Sequence, residues 1–256
     1  MTLHHQTKIA WLAAMLAATG SATAHITYTG RDFGSLNPGN EIVTTTLGGS
    51  VSSNFGWAYS TDPQMGDSHR LRAFRFNLAT AGAITISVQS GNIGFFPGFS
   101  VFGGLSHLAP HANAHDQDPL TLAELNNVYG VGHDKRGAFH ALRDWFIGNI
   151  DNANQSASLR YFDYMGHAAD GTSSNFGSNP AILGDGVADG FVSTTIHLAA
   201  GDYTLMVGGA HYTDSPPAGP YVSNPVNVTL AVIPEPSTAM LTLMAGFGLV
   251  MRRKRV

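Results

Sequence analysis

The sequence predicts a mainly β protein whose body is a jelly-roll-like β-sandwich. Three observations carry that expectation. Several runs alternate apolar and polar residues with a period of two, the pattern of a half-buried strand. Short clusters of Gly, Asn, Asp and Pro separate these runs, as turns do. The composition also suits an exported β protein that has to build its own core, with 43% apolar residues, 12% charged residues, 30 glycines and no cysteine in 256 residues.

In chain order, Ile26-Thr27-Tyr28-Thr29 and Glu41 to Leu47 read as strands, with a Gly/Asn/Pro turn region at Gly34 to Asn40 between them. A further short strand is expected around Phe55-Gly56-Trp57-Ala58, and a loop from Asp62 to His69. The clearest alternation follows: Phe74, Phe76 and Leu78 share one face while Arg75 and Asn77 take the other. Past Ala79-Thr80-Ala81-Gly82, the residues Ile84, Ile86 and Val88 again point one way, so the two runs are expected to form a hairpin. Phe99 to Phe102 adds a strand. A second hairpin is expected from Phe191 to Leu198 and Tyr203 to Gly209 about Ala199-Ala200-Gly201-Asp202, and Val226 to Val232 closes the body.

Between the two hairpins, from about Gly103 to Gly190, an insertion breaks this rhythm. Pro119 to Asn126 has a helical start, and Leu142, Trp145 and Phe146 recur at helical spacing, whereas Ser158 to Met165 alternates like a strand. A mixed, partly helical insertion is the expectation.

The paired hairpins, with Phe74-Arg75-Phe76-Asn77-Leu78, Ala83 to Val88, Phe99-Ser100-Val101-Phe102 and Leu198-Ala199-Ala200-Gly201-Asp202-Tyr203, resemble the β-sandwich modules related to the bacterial pre-peptidase C-terminal domain. Those modules chiefly bind or pack, so the resemblance implies an accessory, non-catalytic role. The long insertion departs from their pattern.

Both ends read as sorting labels. Met1 to Ala24 has the positive flank Lys8, an apolar core from Ile9 to Ala18 and the small-x-small site Ala22-Thr23-Ala24, which predicts a signal helix removed by signal peptidase. At the other end, Pro234-Glu235-Pro236 fixes an extended segment, an uncharged run follows from Thr238 to Met251, and Arg252-Arg253-Lys254-Arg255 forms a basic cluster. This order resembles the PEP-CTERM sorting signal of Gram-negative bacteria. The resemblance implies a transient inner-membrane helix over 238–251 and an exosortase that cuts near Pro234, Glu235 and Pro236, with Arg252 and Arg253 held on the cytoplasmic side. It also implies delivery to the cell surface and association with exopolysaccharide or biofilm. The run is about 15 residues against the roughly 20 that cross a bilayer core, which suits a temporary anchor. The expected organisation is thus a signal peptide over 1–24, a secreted body over 25–231 and a sorting signal over 232–256.

A net charge of −4 provides no basic surface for nucleic acid. Cysteine chemistry is excluded, and Gly-x-Ser-x-Gly elbows and phosphate loops do not occur. Candidate metal ligands are the cluster His107, His111, His115, Asp116 and Asp118, together with the glycine-flanked aspartates Asp185 and Asp189 in Gly184 to Gly190. His111 and His115 would align on a helix, although Pro110 and Pro119 favour a loop and Ala112 stands where a zinc protease has its Glu. Asp185 and Asp189, with Asp62 and Asp67 as a partner loop, are the oxygen-rich type of site that suits Ca²⁺. His25, exposed as a new N-terminus, would be a copper chelator. Two functions are therefore weighed: a non-catalytic surface or matrix protein, and a secreted metal-dependent or carbohydrate-active enzyme that uses the His/Asp-rich insertion.

Overall fold

The computed structural model describes residues 26–38, 42–54, 56–58, 65–105, 114–117, 138–149, 160–172, 181–182, 184–211 and 222–233. Its strands are β1 (Asp32–Leu36), β2 (Val43–Ser52), β3 (Met65–Asp67), β4 (Arg72–Leu78), β5 (Gly82–Ser90), β6 (Pro97–Gly103), β7 (Ala114–Gln117), β8 (Ala138–His140), β9 (Trp145–Asn149), β10 (Arg160–Ala169), β11 (Phe191–Leu198), β12 (Gly201–Gly209) and β13 (Ser223–Ile233). Seven form one sheet in the order β1-β4-β12-β6-β10-β9-β7, and four form a second in the order β11-β5-β13-β2. The pair β3-β8 stands apart. A two-sheet sandwich is what the alternating runs build.

The two expected hairpins are corrected by this topology. β4 lies in the seven-stranded sheet and β5 in the four-stranded one, and β12 and β11 are divided in the same way. Each turn is an arch that carries the chain across the core. The arches lie side by side, with Leu78 opposite Gly201 in one sheet and Leu198 opposite Gly82 in the other. Period-two alternation says which face of a strand is buried but not whether the next strand sits beside it or across from it, and here the apolar rows face each other.

Three further expectations change. Ile26–Thr29 is not a strand: buried Tyr28 hydrogen-bonds the Thr204 hydroxyl at 2.7 Å, and the Arg31 guanidinium donates to the carbonyl oxygens of Ala73 at 2.9 Å and Thr27 at 2.7 Å. Strand β1 falls instead on the expected turn, with a register shift between Asp32 and Ser35 where Gly34 adopts a φ of 73°. The helical spacing of Leu142, Trp145 and Phe146 resolves into a bend at Leu142 followed by β9, which holds Trp145 and Phe146, because a short apolar run has no periodicity that separates strand from helix. The insertion is continuous with the body, since β10 pairs directly with β6 and carries the sheet on to β9. The helical start at Pro119 to Asn126, the signal peptide and the segment 238–251 lie outside the described residues. Among the described residues no helix is long and apolar enough to cross a membrane.

Two apolar clusters result. One fills the space between the sheets, with Phe74, Phe76 and Leu78 of β4 meeting Ile84, Ile86 and Val88 of β5 and Val226, Val228, Leu230 and Val232 of β13. The other covers the outer face of the seven-stranded sheet, where Tyr28, Trp57, Phe102, Phe139, Phe162 and Met206 pack together. Phe102 meets Phe139 and Phe162 edge-on, with centroids 5.9 and 6.3 Å apart. That second layer turns one face of the sandwich into an enclosed environment for polar groups.

Candidate functional site

Within the outer layer, one row of residues runs across three strands. Met206 of β12, Ser100 of β6 and His167 of β10 are register partners in turn. Trp57 lies over this row. Its indole N–H donates to Ser100 Oγ at 2.8 Å, and the Ser100 hydroxyl donates onward to the Ala141 carbonyl at 2.6 Å, so both polar atoms are satisfied although both residues are buried. Space for the ring comes from paired glycines: a Cβ on Gly98 would lie 2.8 Å from the indole, and one on its neighbour Gly208 would lie 2.1 Å from Leu71.

His167 sits at the edge of this arrangement, its ring centroid 5.8 Å from that of Trp57. In a regular strand Tyr164 and His167, three apart, would point to opposite faces. β10 is irregular between Tyr164 and Gly166, and the extra residue brings both side chains to the outer face. The Asp144 carboxylate accepts the Tyr164 backbone N–H at 2.8 Å and holds the irregular stretch. The Tyr164 hydroxyl then reaches His167 Nδ1 at 2.5 Å. His167 Nε2, by contrast, is buried without a hydrogen-bond partner. Burial lowers the imidazole pKa, so the ring is neutral at pH 7. When Nδ1 donates its proton to the phenol oxygen, Nε2 presents a lone pair, as a metal-ligating histidine does. The Tyr164 hydroxyl is itself held protonated by burial, which raises its pKa.

The sequence-predicted ligands distribute differently. His107, His111, Asp118, Asp62 and His25 lie outside the described residues, as do Pro234, Glu235, Pro236, Arg252 and Arg253. His115 and Asp116 fall on β7, opposite Gly148 and Ile147 of β9, so this part of the cluster is strand and not helix. Asp185 and Asp189 serve the backbone. Asp185 Oδ1 accepts the N–H groups of Gly171 at 3.1 Å and Val187 at 3.2 Å, and Asp189 Oδ1 accepts that of Phe191 at 3.0 Å.

Sequence reasoning missed the carboxylate at the centre of that loop. Asp170, fully buried, accepts the N–H groups of Asp189 at 3.0 Å and Gly190 at 2.7 Å. Desolvation outweighs these bonds and, with the nearby charges of Asp185 and Asp189, pushes its pKa up to about 6. Among the described residues no three His, Asp or Glu side chains converge as a metal cage would require. His140, another histidine of the insertion, is buried and receives a hydrogen bond from Arg143 Nε at 2.8 Å on Nδ1.

With this geometry in place, comparison with solved structures places the fold. CorA of Methylomicrobium album BG8, described as a surface-associated copper-binding protein important in copper acquisition, superposes with a TM-score of 0.50 at 16% identity, over 73% of this chain and 93% of its own. The likeness is one of fold. The Methylococcus capsulatus secreted protein MopE, in which an oxidized tryptophan facilitates copper binding, matches at 0.43 and 17% identity over 80% of this chain and 87% of its own. The pre-peptidase C-terminal domain of a Bacillus anthracis collagenase matches at 0.28 and 11% over 77% and 92%. No protein-family model matches the chain, and no curated protein does. The sandwich is thus one that a surface-associated bacterial protein also has.

Proposed function

We propose that this chain is an exported, surface-associated binding protein that does not catalyse, and that it takes up a copper ion with His167 as one ligand. The observation that carries the reading is the buried, unpartnered Nε2 of a neutral imidazole whose other nitrogen is held by Tyr164. Leaving a buried polar nitrogen unpaired costs about 1–3 kcal/mol, and ligation would remove that cost. Imidazole is a preferred donor for copper, and a chain with 12 histidines and no cysteine offers nitrogen in place of thiolate. The copper-binding description of CorA, a protein of the same fold, favours this ion over zinc.

The sorting labels complete the proposal. Signal peptidase removes residues 1–24, exosortase cuts near Pro234-Glu235-Pro236 after a stay in the inner membrane, and the body remains at the surface within exopolysaccharide. Binding without catalysis is favoured by the aspartates in and beside the 184–190 loop: Asp185 Oδ1, Asp189 Oδ1 and both oxygens of Asp170 accept backbone N–H groups.

Copper titration of the full-length protein with elemental analysis tests the central point. Stoichiometric copper in the wild type and its loss in His167→Ala are expected. Stoichiometric copper retained by His167→Ala would remove His167 from the site, and an apo wild type in excess copper would remove the reading itself.

A further inference from the structure

A sheet edge presents main-chain donors and acceptors to any further strand, and folds usually blunt it with short strands, charges, proline or irregularity. The two main sheets end in β1, β7, β11 and β2. Three of these edges are blunted. β1 has five residues, its register shifts between Asp32 and Ser35, and Asp32 pairs with Arg75. β7 has only four residues. In β11 the N–H of its first residue, Phe191, is taken by the Asp189 carboxylate at 3.0 Å.

Strand β2 differs in each respect. Its ten residues, Val43–Ser52, contain no charge and no proline, and they pair with β13 without a break in register. Which groups face outward follows from Pro225, the register partner of Ser50. Pro225 has no N–H and gives its carbonyl to the Gly91 N–H at 2.9 Å, away from β2. Alternation along the antiparallel ladder then turns Val43, Thr45, Leu47 and Gly49 toward β13, and the main-chain groups of Thr44, Thr46, Gly48 and Ser50 toward the open side. Among the described residues no backbone hydrogen bond reaches that side.

We infer that β2 is a dimerisation edge, pairing antiparallel with β2 of a second copy around a two-fold axis at Leu47. The two four-stranded sheets then become one sheet of eight strands. This goes beyond the copper and matrix reading and depends on neither.

The sequence of the strand selects the occupant. With the axis at Leu47, Thr44 meets Ser50 of the copy and Thr46 meets Gly48, so each outward group faces another and about eight main-chain hydrogen bonds form. Leu47, partly buried against the core between the sheets, meets its own copy in the closer, non-hydrogen-bonded type of pair. Beyond Ser52 the chain turns away, with Ser53 at a φ of 66°, which limits the pairing to this stretch. The chain carries a net charge of −4, yet two copies meet here along an uncharged seam. A strand from another protein would have to bring an apolar residue opposite Leu47, which a second copy supplies by symmetry. Such a contact uses the same patch on both partners and therefore closes at two copies.

Sedimentation velocity of the full-length protein in detergent, with EDTA present, tests the inference. A dimer is expected for the wild type. Thr46→Lys changes an exposed side chain, leaves the main-chain bonds to β13 in place and sets two ammonium groups across the axis. It should weaken dimerisation at least tenfold with the melting temperature little changed. Because the chain has no cysteine, Leu47→Cys introduces a single thiol, which should form a disulfide between copies under diamide. Thr195→Cys, on edge strand β11, should not. A monomeric wild type would overturn the second copy as occupant and leave the edge to a strand of another protein. A dimer undiminished by Thr46→Lys would place the contact elsewhere, as on the apolar run 238–251, and overturn the inference. A Leu47→Cys dimer that does not cross-link would overturn the register.

Discussion

The Tyr164 hydroxyl lies 2.5 Å from Nδ1 of His167, although the two residues are three apart on one strand. Only the irregularity between Tyr164 and Gly166 lets both side chains occupy the same face. A polar pair that requires a break in the ladder is a specific feature of this sandwich, and it fixes which imidazole nitrogen is engaged.

Tyr164→Phe keeps the ring and removes the hydroxyl. The histidine then loses the partner that sets its tautomer and orientation, and partners of this kind are worth roughly 10–100-fold in metal affinity. Copper affinity measured by competition with a chromophoric chelator should fall by that order. The melting temperature should change little by comparison, since one hydrogen bond contributes about 1 kcal/mol net. Unchanged affinity with a lowered melting temperature would assign the pair a purely structural role.

Ser100 links Trp57 to the chain segment that follows β8, accepting from the indole and donating to Ala141. Ser100→Ala leaves a buried N–H and a buried carbonyl without their partner, so unfolding free energy should drop by about 1–3 kcal/mol. In Trp57→Phe the N–H is absent from the start. A double-mutant cycle in urea should therefore show Ser100→Ala costing less when combined with Trp57→Phe than in the wild type, and equal costs would mean that the indole bond contributes nothing.

How far the sequence revealed this arrangement depends on which physical signal each part leaves. The apolar rows of β4, β5, β11, β12 and β13 could be read almost to the residue, because one buried face imposes a period of two. The pairing could not: Leu78 and Gly82 bound a turn that suits a hairpin and an arch equally well, and the choice lies in the long-range packing of Phe76 and Ile86. The outer layer was hidden for a related reason. Ser100 and Met206 alternate as solvent-facing or half-buried positions would, and only the distant Trp57, Phe139 and Phe162 cover them. Of the candidate site, Gly166 was the one local hint, since an isolated glycine in a strand signals a bulge. The aspartates Asp185 and Asp189 were visible, but their role was not, because a carboxylate that satisfies backbone N–H groups has the same glycine-flanked pattern as one that binds a cation.

Close approach of backbone to ring supplies another prediction. Gly98 sits under Trp57, and a Cβ there would lie 2.8 Å from two indole carbons and 2.9 Å from the Ala210 methyl. The indole is pinned by its bond to Ser100 and has no room to retreat. Gly98→Ala should therefore destabilise the fold by about 1–3 kcal/mol, the usual cost of forcing extra volume into a packed core. Gly48→Ala is the control, since its nearest neighbour would be the Asn227 side chain at 3.8 Å. Equal urea midpoints for the two variants would contradict the packing described here.

The buried Asp170 gives stability a pH dependence whose sign can be worked out. Its pKa is pushed up to about 6 from the ordinary 3.8, first by desolvation and further by Asp185 and Asp189. Between those two values the folded state holds a proton that the unfolded chain has released. Unfolding then loses protons, so the contribution of this group to stability is full below pH 3.8, declines as pH rises through the window, and is gone above about 6. Asp170→Asn does not titrate and keeps an acceptor oxygen for one of the two N–H groups, which bond Oδ1 (Asp189) and Oδ2 (Gly190) in the wild type. Urea unfolding of both proteins at pH 4, 5, 6 and 7 should show the stability of the wild type relative to Asp170→Asn falling from about pH 4 to about 6 and level beyond. A difference that rises with pH over this range would mean that the two backbone N–H bonds to the carboxylate outweigh its burial.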